Sequence, residues 1–206
     1  VAGDRVNRLA RAIAVGAAIC LFPSLAEAHL MNTGFGPFYD GLAHPLVTPE
    51  DLLAVVAIAL LAGLRGTRSG RLVVFVLPAA WLLGIAAGRA FAPHDSSLWL
   101  TSLLTIVFGA LVAADRDLPL PVVAGSAILL GGVHGWLNGG GLAPATSGIT
   151  EVLGVGCTIF VVTTLLSGTV VSLRKPWLRL VVRVAGSWIA AMGLLMLGWS
   201  LRKGHP

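Results

Sequence analysis

Six long apolar runs, each broken by a short polar or basic stretch, dominate the chain. They cover residues 46–64, 72–91, 98–114, 120–137, 149–173 and 178–201. Each approaches the ~20 residues that a helix rising 1.5 Å per residue needs to cross the hydrocarbon of a bilayer. Lumen-facing strands would alternate apolar and polar positions, and these runs do not, so they predict helices rather than a membrane barrel. The expected fold is all-α: a polytopic membrane helix bundle of six transmembrane helices, residues 46–201, with a short tail at 202–206.

A seventh, shorter run precedes the six. Arg5, Arg8 and Arg11 lead into apolar residues 12–22, followed by Pro23 and the small-x-small sequence Ala26-Glu27-Ala28. That order of basic, apolar and small residues predicts a secretory signal peptide over residues 1–28, with cleavage after Ala28. An uncleaved anchor is the alternative, although the run is short for a span. Residues 29–45 then form an extracytoplasmic segment. The glycine-aromatic run Gly34-Phe35-Gly36-Pro37-Phe38-Tyr39 predicts that part of it folds against the membrane.

Composition agrees with this division. Hydrophobic residues make up 56% of the 206 and charged residues only 11%, with a mean hydropathy of +0.90. Such a chain dissolves in lipid, not in water. Fourteen Lys and Arg residues give a net charge of +5, yet they cluster between apolar runs as membrane loops do, so the basic balance does not predict nucleic-acid binding. Cys20 and Cys157 lie in separate apolar segments and predict neither a disulfide nor a zinc site.

The basic clusters also predict orientation. Arg65, Arg68 and Arg71, then Arg116, then Arg174, Lys175, Arg179 and Arg183 mark alternate connections, which the positive-inside rule makes cytoplasmic. An exported amino terminus leads to the same topology, in the inner membrane of a bacterium. His29, His44, His94, His134 and His205 then fall on or near the outer face with Asp40, Glu50, Asp51, Asp95 and Glu151. Imidazoles and carboxylates gathered there suit capture of a cation.

Two constellations carry that chemistry. The first runs from Asp40 through His44-Pro45-Leu46 to Thr48-Pro49-Glu50-Asp51. Helix capping accounts for part of it: Thr48 as N-cap, Pro49 as first helical residue, and two carboxylates against the positive end of the helix dipole. Asp40 and His44 lie before the helix and are not explained that way. The second is Gly131-Gly132-Val133-His134-Gly135-Trp136-Leu137-Asn138-Gly139. His134 and Asn138 are four apart and share a helix face, either as a polar tie between helix ends with glycines permitting close packing, or with His134 opposite His44 or Asp51 as ligands of one ion. Thr101, Thr105, Thr163, Thr164 and Ser167 could form a polar track through the spans or ordinary interhelical hydrogen bonds.

His44-Pro45-Leu46, followed by an acidic pair and Leu52-Leu53-Ala54, with His134-Gly135 in a later glycine-rich span, resembles the HupE/UreJ family. The family comprises membrane proteins of hydrogenase and urease gene clusters regarded as nickel or cobalt permeases. The resemblance implies a permease for a divalent transition-metal ion, with Asp40, His44, Glu50, Asp51, His134 and Asn138 at its outer mouth. This chain has Glu50-Asp51 where the family has Asp-His, Asn138 where a second His is usual, and Gly141 in place of an acid. Oxygen-rich sites favour harder ions. No resident cofactor is expected.

Two other readings accompany this one. A non-transporting accessory or assembly subunit would bind a metal or a membrane protein partner. A mature terminus at His29 would use its amine and imidazole to chelate copper with His44 or another histidine. Ser126 shares a span with His134, but two residues of one helix eight apart do not make a nucleophile and its base, so enzyme activity is not expected.

Overall fold

A computed structural model describes residues 33–91, 98–141 and 148–203. The expected signal peptide, His29, His94, Asp95 and His205 lie outside the described residues. Seven helices follow in order: α1 Pro37–Val47, α2 Pro49–Leu64, α3 Thr67–Phe91, α4 Leu98–Ala114, α5 Leu120–Gly141, α6 Ile149–Val171 and α7 Pro176–Lys203.

The apolar runs reappear as α2 to α7 with small shifts at their ends. The first run is divided. Its beginning, Leu46 and Val47, belongs to α1, and the chain turns at Thr48 before α2 begins. Proline explains the break. Pro49 has no N–H to continue the helix and disfavours helical geometry in the residue before it, and Thr48 is extended at φ −93°, ψ 103°. The two helix axes differ by 74°. Helix α1 itself starts with Pro37 in its first turn, after Gly36 at φ 102°.

Four helices, α3, α5, α6 and α7, are long and apolar enough to cross a membrane by length and composition, and the bent pair α1 and α2 passes as a fifth. Helix α4 is apolar but shorter. The surface fits a lipid solvent: on α7, Trp188 is 71% exposed and Leu195 69%. Such side chains on the outside of a bundle are stable where the surroundings are hydrocarbon.

Helix α2 occupies the centre and touches all six other described helices. Its residues Ala57, Ile58, Ala59, Leu61 and Ala62 are fully buried, as befits a helix apolar all round. Around it the helices associate chiefly as α3 with α5, α4 with α7, and α1 with α6. Without a hydrophobic driving force in lipid, such pairs depend on close backbone approach. Glycines supply it in α3 and α5: a methyl group at Gly84 would meet Gly132 O at 2.6 Å, and one at Gly131 would meet Leu77 O at 2.8 Å. Gly135 and Gly139 press equally closely on the Trp81 and Ile85 carbonyls. This seam fixes the rotation of α5 and with it the direction of His134 and Asn138.

The basic connections converge at one end of the bundle. Arg65, at the end of α2, pairs with Asp115 and, at 2.6 Å, with Asp117, both following α4. Arg179 of α7 reaches Asp115 at 3.0 Å, and Arg183 Nε donates to Ala113 O at 2.9 Å. Asp115 adopts φ +48°, a left-handed conformation that Asp tolerates better than most residues.

Candidate functional site

At the other end of α2, the break at Thr48 turns the last turn of α1 towards the first turn of α2. Thr48 N donates to His44 O at 3.1 Å, and Thr48 O in turn accepts from Asp51 N at 3.1 Å and Leu52 N at 3.0 Å. Thr48 thus holds the N-cap position and Pro49 the first helical one, as expected. The capping chemistry differs from expectation: the Thr48 hydroxyl is buried and makes no capping bond.

Asp51 departs further from a capping role. It is 1% exposed, and its carboxylate faces across the bundle to α5. Oδ1 lies 2.8 Å from His134 Nδ1, and Oδ2 accepts from Asn138 Nδ2 at 2.8 Å. Helical spacing places His134 and Asn138 one above the other, so one carboxylate engages both. An ionised carboxylate only accepts, so the proton of this contact sits on Nδ1. The second ring nitrogen, Nε2, is left outside this contact. That atom is buried and has no hydrogen-bond partner among the described residues.

His44 completes the cluster. Its Nε2 lies 3.8 Å from Asp51 Oδ2, beyond hydrogen-bond range, and is likewise buried without a hydrogen-bond partner among the described residues. Glu50 adjoins on the same turn, half-buried. Trp81 of α3 was not anticipated: it is fully buried, and its ring lies against His134 with centroids 5.2 Å apart and planes tilted by 34°. Its depth within a span was the one sequence signal that it serves a purpose other than anchoring at the membrane surface.

Of the residues expected at the site, the structure brings together His44, Asp51, His134 and Asn138, with Glu50 beside them. Asp40 is engaged elsewhere. Its Oδ1 accepts from both Thr33 N and Thr33 Oγ1 at 2.6 Å, closing the turn that leads into α1. Among the described residues no three His, Cys, Asp or Glu side chains converge in a group able to hold a metal ion. Both Asp51 oxygens are already engaged by α5, so a ligand sphere would require the carboxylate to turn or an ion to approach through the two free Nε2 atoms.

Three of the five hydroxyls considered for a track are spent locally. Thr101 Oγ1 bonds Leu98 O, Thr105 Oγ1 bonds Thr101 O, and Thr164 Oγ1 bonds Phe160 O, each within its own helix. Those three therefore make no interhelical bond, while the Thr163 hydroxyl is buried without a hydrogen-bond partner among the described residues. Thr158 does bond between helices, to Leu42 O at 2.7 Å, and ties α6 to α1.

No curated protein and no solved structure matches the chain. The family comparison does find a match: the model of the HupE / UreJ protein family aligns with residues 17–196. That span takes in α1 to α6 and most of α7, including both halves of the cluster, so this membrane protein belongs to the HupE/UreJ family.

Proposed function

We propose that the protein is a HupE/UreJ-like permease that captures a divalent transition-metal ion, nickel or cobalt by family resemblance, at an extracytoplasmic mouth formed by the α1–α2 break and the end of α5. The observation that carries the reading is the buried Asp51 carboxylate, which binds His134 Nδ1 at 2.8 Å and has His44 Nε2 3.8 Å away, while both imidazole Nε2 atoms are buried without a hydrogen-bond partner among the described residues. Neutral imidazole nitrogen is a good ligand for nickel and cobalt, and a carboxylate behind an imidazole raises its basicity and fixes its tautomer. Asp51 and Glu50 supply charge to attract the ion. Asn138 positions Asp51. Asp40, bound to Thr33, shapes the approach to the site.

In this reading the chain crosses the inner membrane of a bacterium six times, with α1 and α2 as a broken first span and α4 as a short one. The Arg65–Asp115–Arg179 end faces the cytoplasm, in keeping with the positive-inside rule. A cleaved signal peptide over residues 1–28 would place the site end outside. Metal uptake into proteoliposomes holding the purified protein is the test. Nickel or cobalt accumulation should fall to the level of empty liposomes in a His44→Ala, His134→Ala double variant. Undiminished uptake by that variant overturns the assignment.

A second reading, a non-transporting accessory subunit, draws support from the interior. From Leu52 to Leu64, α2 carries no polar side chain between the two ionic ends, and the Thr101, Thr105 and Thr164 hydroxyls are spent on their own helices. Metal binding without uptake, together with co-purification of a membrane protein partner, would select it.

A further inference from the structure

A groove of about 290 Å³ opens between α3 and α6 at the basic end of the bundle, well away from the Asp51 cluster. Its walls combine two chemistries. Val74 and Phe75 give an apolar side, and Phe75 is braced by Phe160 with ring centroids 5.9 Å apart. Arg71, Thr67 and Ser167 give a polar side.

Charge accounting at this end leaves Arg71 in excess. The two carboxylates there, Asp115 and Asp117, are taken by Arg65 and Arg179. The other described carboxylates, Asp40, Glu50, Asp51 and Glu151, belong to the opposite end. Ser167 is the second sign of a ligand. It is 2% exposed and lines the groove. Its neighbours on α6, Thr164, Thr169 and Ser172, each return their hydroxyl to a carbonyl of the preceding turn, whereas no such bond occupies that of Ser167. Gly168 leaves the groove floor open, since a side-chain carbon there would meet nothing within 4 Å.

A cation and a free hydroxyl above an apolar cleft on a lipid-facing surface match one ligand chemistry. We propose that this groove binds an anionic phospholipid, its phosphate on Arg71 and Ser167 and an acyl chain along Val74 and Phe75. Basic pockets between membrane helices recognise lipid head groups in this way, and each Arg or Lys near the surface adds attraction for anionic lipid. The arginine stem lies along apolar wall while its guanidinium reaches the head group. Binding does not depend on the metal reading, and only the choice of leaflet rests on the orientation proposed above.

Native mass spectrometry of the full chain in detergent tests it, with phosphatidylglycerol and phosphatidylcholine of identical acyl chains. The wild type should retain the anionic lipid about fivefold over the zwitterionic one. Arg71→Gln should bring the ratio to about one, while Arg68→Gln, a neighbouring cation outside the groove, should keep the preference. Gly168→Leu, whose β-carbon meets nothing within 4 Å and whose side chain enters the cleft, should lower retention of the anionic lipid. Equal retention of both lipids by the wild type overturns the proposal, as does an equal loss in the Arg68 and Arg71 variants, which would signify diffuse surface charge. Displacement of the lipid by inorganic phosphate alone would also overturn it, because the acyl chain would then contribute nothing.

Discussion

Asp51 shows how much one side chain can be asked to do. A buried carboxylate is costly unless its oxygens are satisfied, and here one receives an imidazole N–H and the other a carboxamide N–H, both from α5. Asp51→Ala would leave two buried donors unpaired, and each such loss costs about 1–3 kcal/mol. Thermal unfolding in detergent should register that loss even without metal. Asn138→Ala should act more gently: it releases Asp51 Oδ2 but leaves the His134 contact, and nickel or cobalt affinity measured by calorimetry should fall about tenfold, the usual scale for a residue that positions a ligand. The residue scale also shows what spacing misses. Thr48, Glu50 and Asp51 read locally as a helix start, and Thr48 and Pro49 do occupy those positions. The chemistry of Asp51, however, is set by residues 83 and 87 positions away. The same limit applies to Asp40, whose position beside His44 in sequence suggested a shared site until the turn at Thr33 claimed it.

Helix α5 illustrates the next scale. His134 and Asn138 point at Asp51 because Gly131, Gly135 and Gly139 hold α5 against α3, in the small-residue packing that membrane helices use. Gly135→Ala would force its methyl into the Trp81 backbone. The expected outcome is a destabilisation of about 1–3 kcal/mol, the usual cost of overpacking, with loss of metal affinity as α5 shifts. Gly132→Ala, three positions earlier, meets open space and should leave unfolding and binding nearly unchanged. Element boundaries were largely legible in the sequence, since Leu98–Ala114 is the helix that the apolar run predicts and α5, α6 and α7 differ from their runs only at their ends. The exception is α1. Residues 37–47 are too polar and too short to announce themselves as a span, and only their packing on α6, through Gly41 and the Thr158 bond to Leu42, makes them a helix of the bundle.

Across the whole molecule, α2 joins two ionic clusters about 21 Å apart along its axis at 1.5 Å per residue. One faces α5 and the other gathers Arg65, Asp115, Asp117 and Arg179. The Arg65 side chain is only 4% exposed, so the cost of burying its fixed charge is offset by its partners. Asp115→Asn retains a residue tolerant of positive φ while removing the main counter-charge. Breaking a buried pair from one side typically costs about 3 kcal/mol, and a lower unfolding midpoint should follow. Asp117→Asn, at a fully exposed side chain, should stay within about 0.5 kcal/mol of wild type. The helical membrane class, the extent of most helices and the likeness of His44-Pro45 and His134-Gly135 to one family were all readable along the chain, because hydrophobic runs and basic loops are local properties that lipid enforces directly. It took the packed helices to show that Asp51 pairs with His134 and Asn138, that Asp40 turns to Thr33, and that the Thr101, Thr105 and Thr164 hydroxyls fold back on their own helices. Those outcomes depend on the rotation and closeness of helices far apart in the chain, which glycine contacts and one proline break set and which no local spacing encodes.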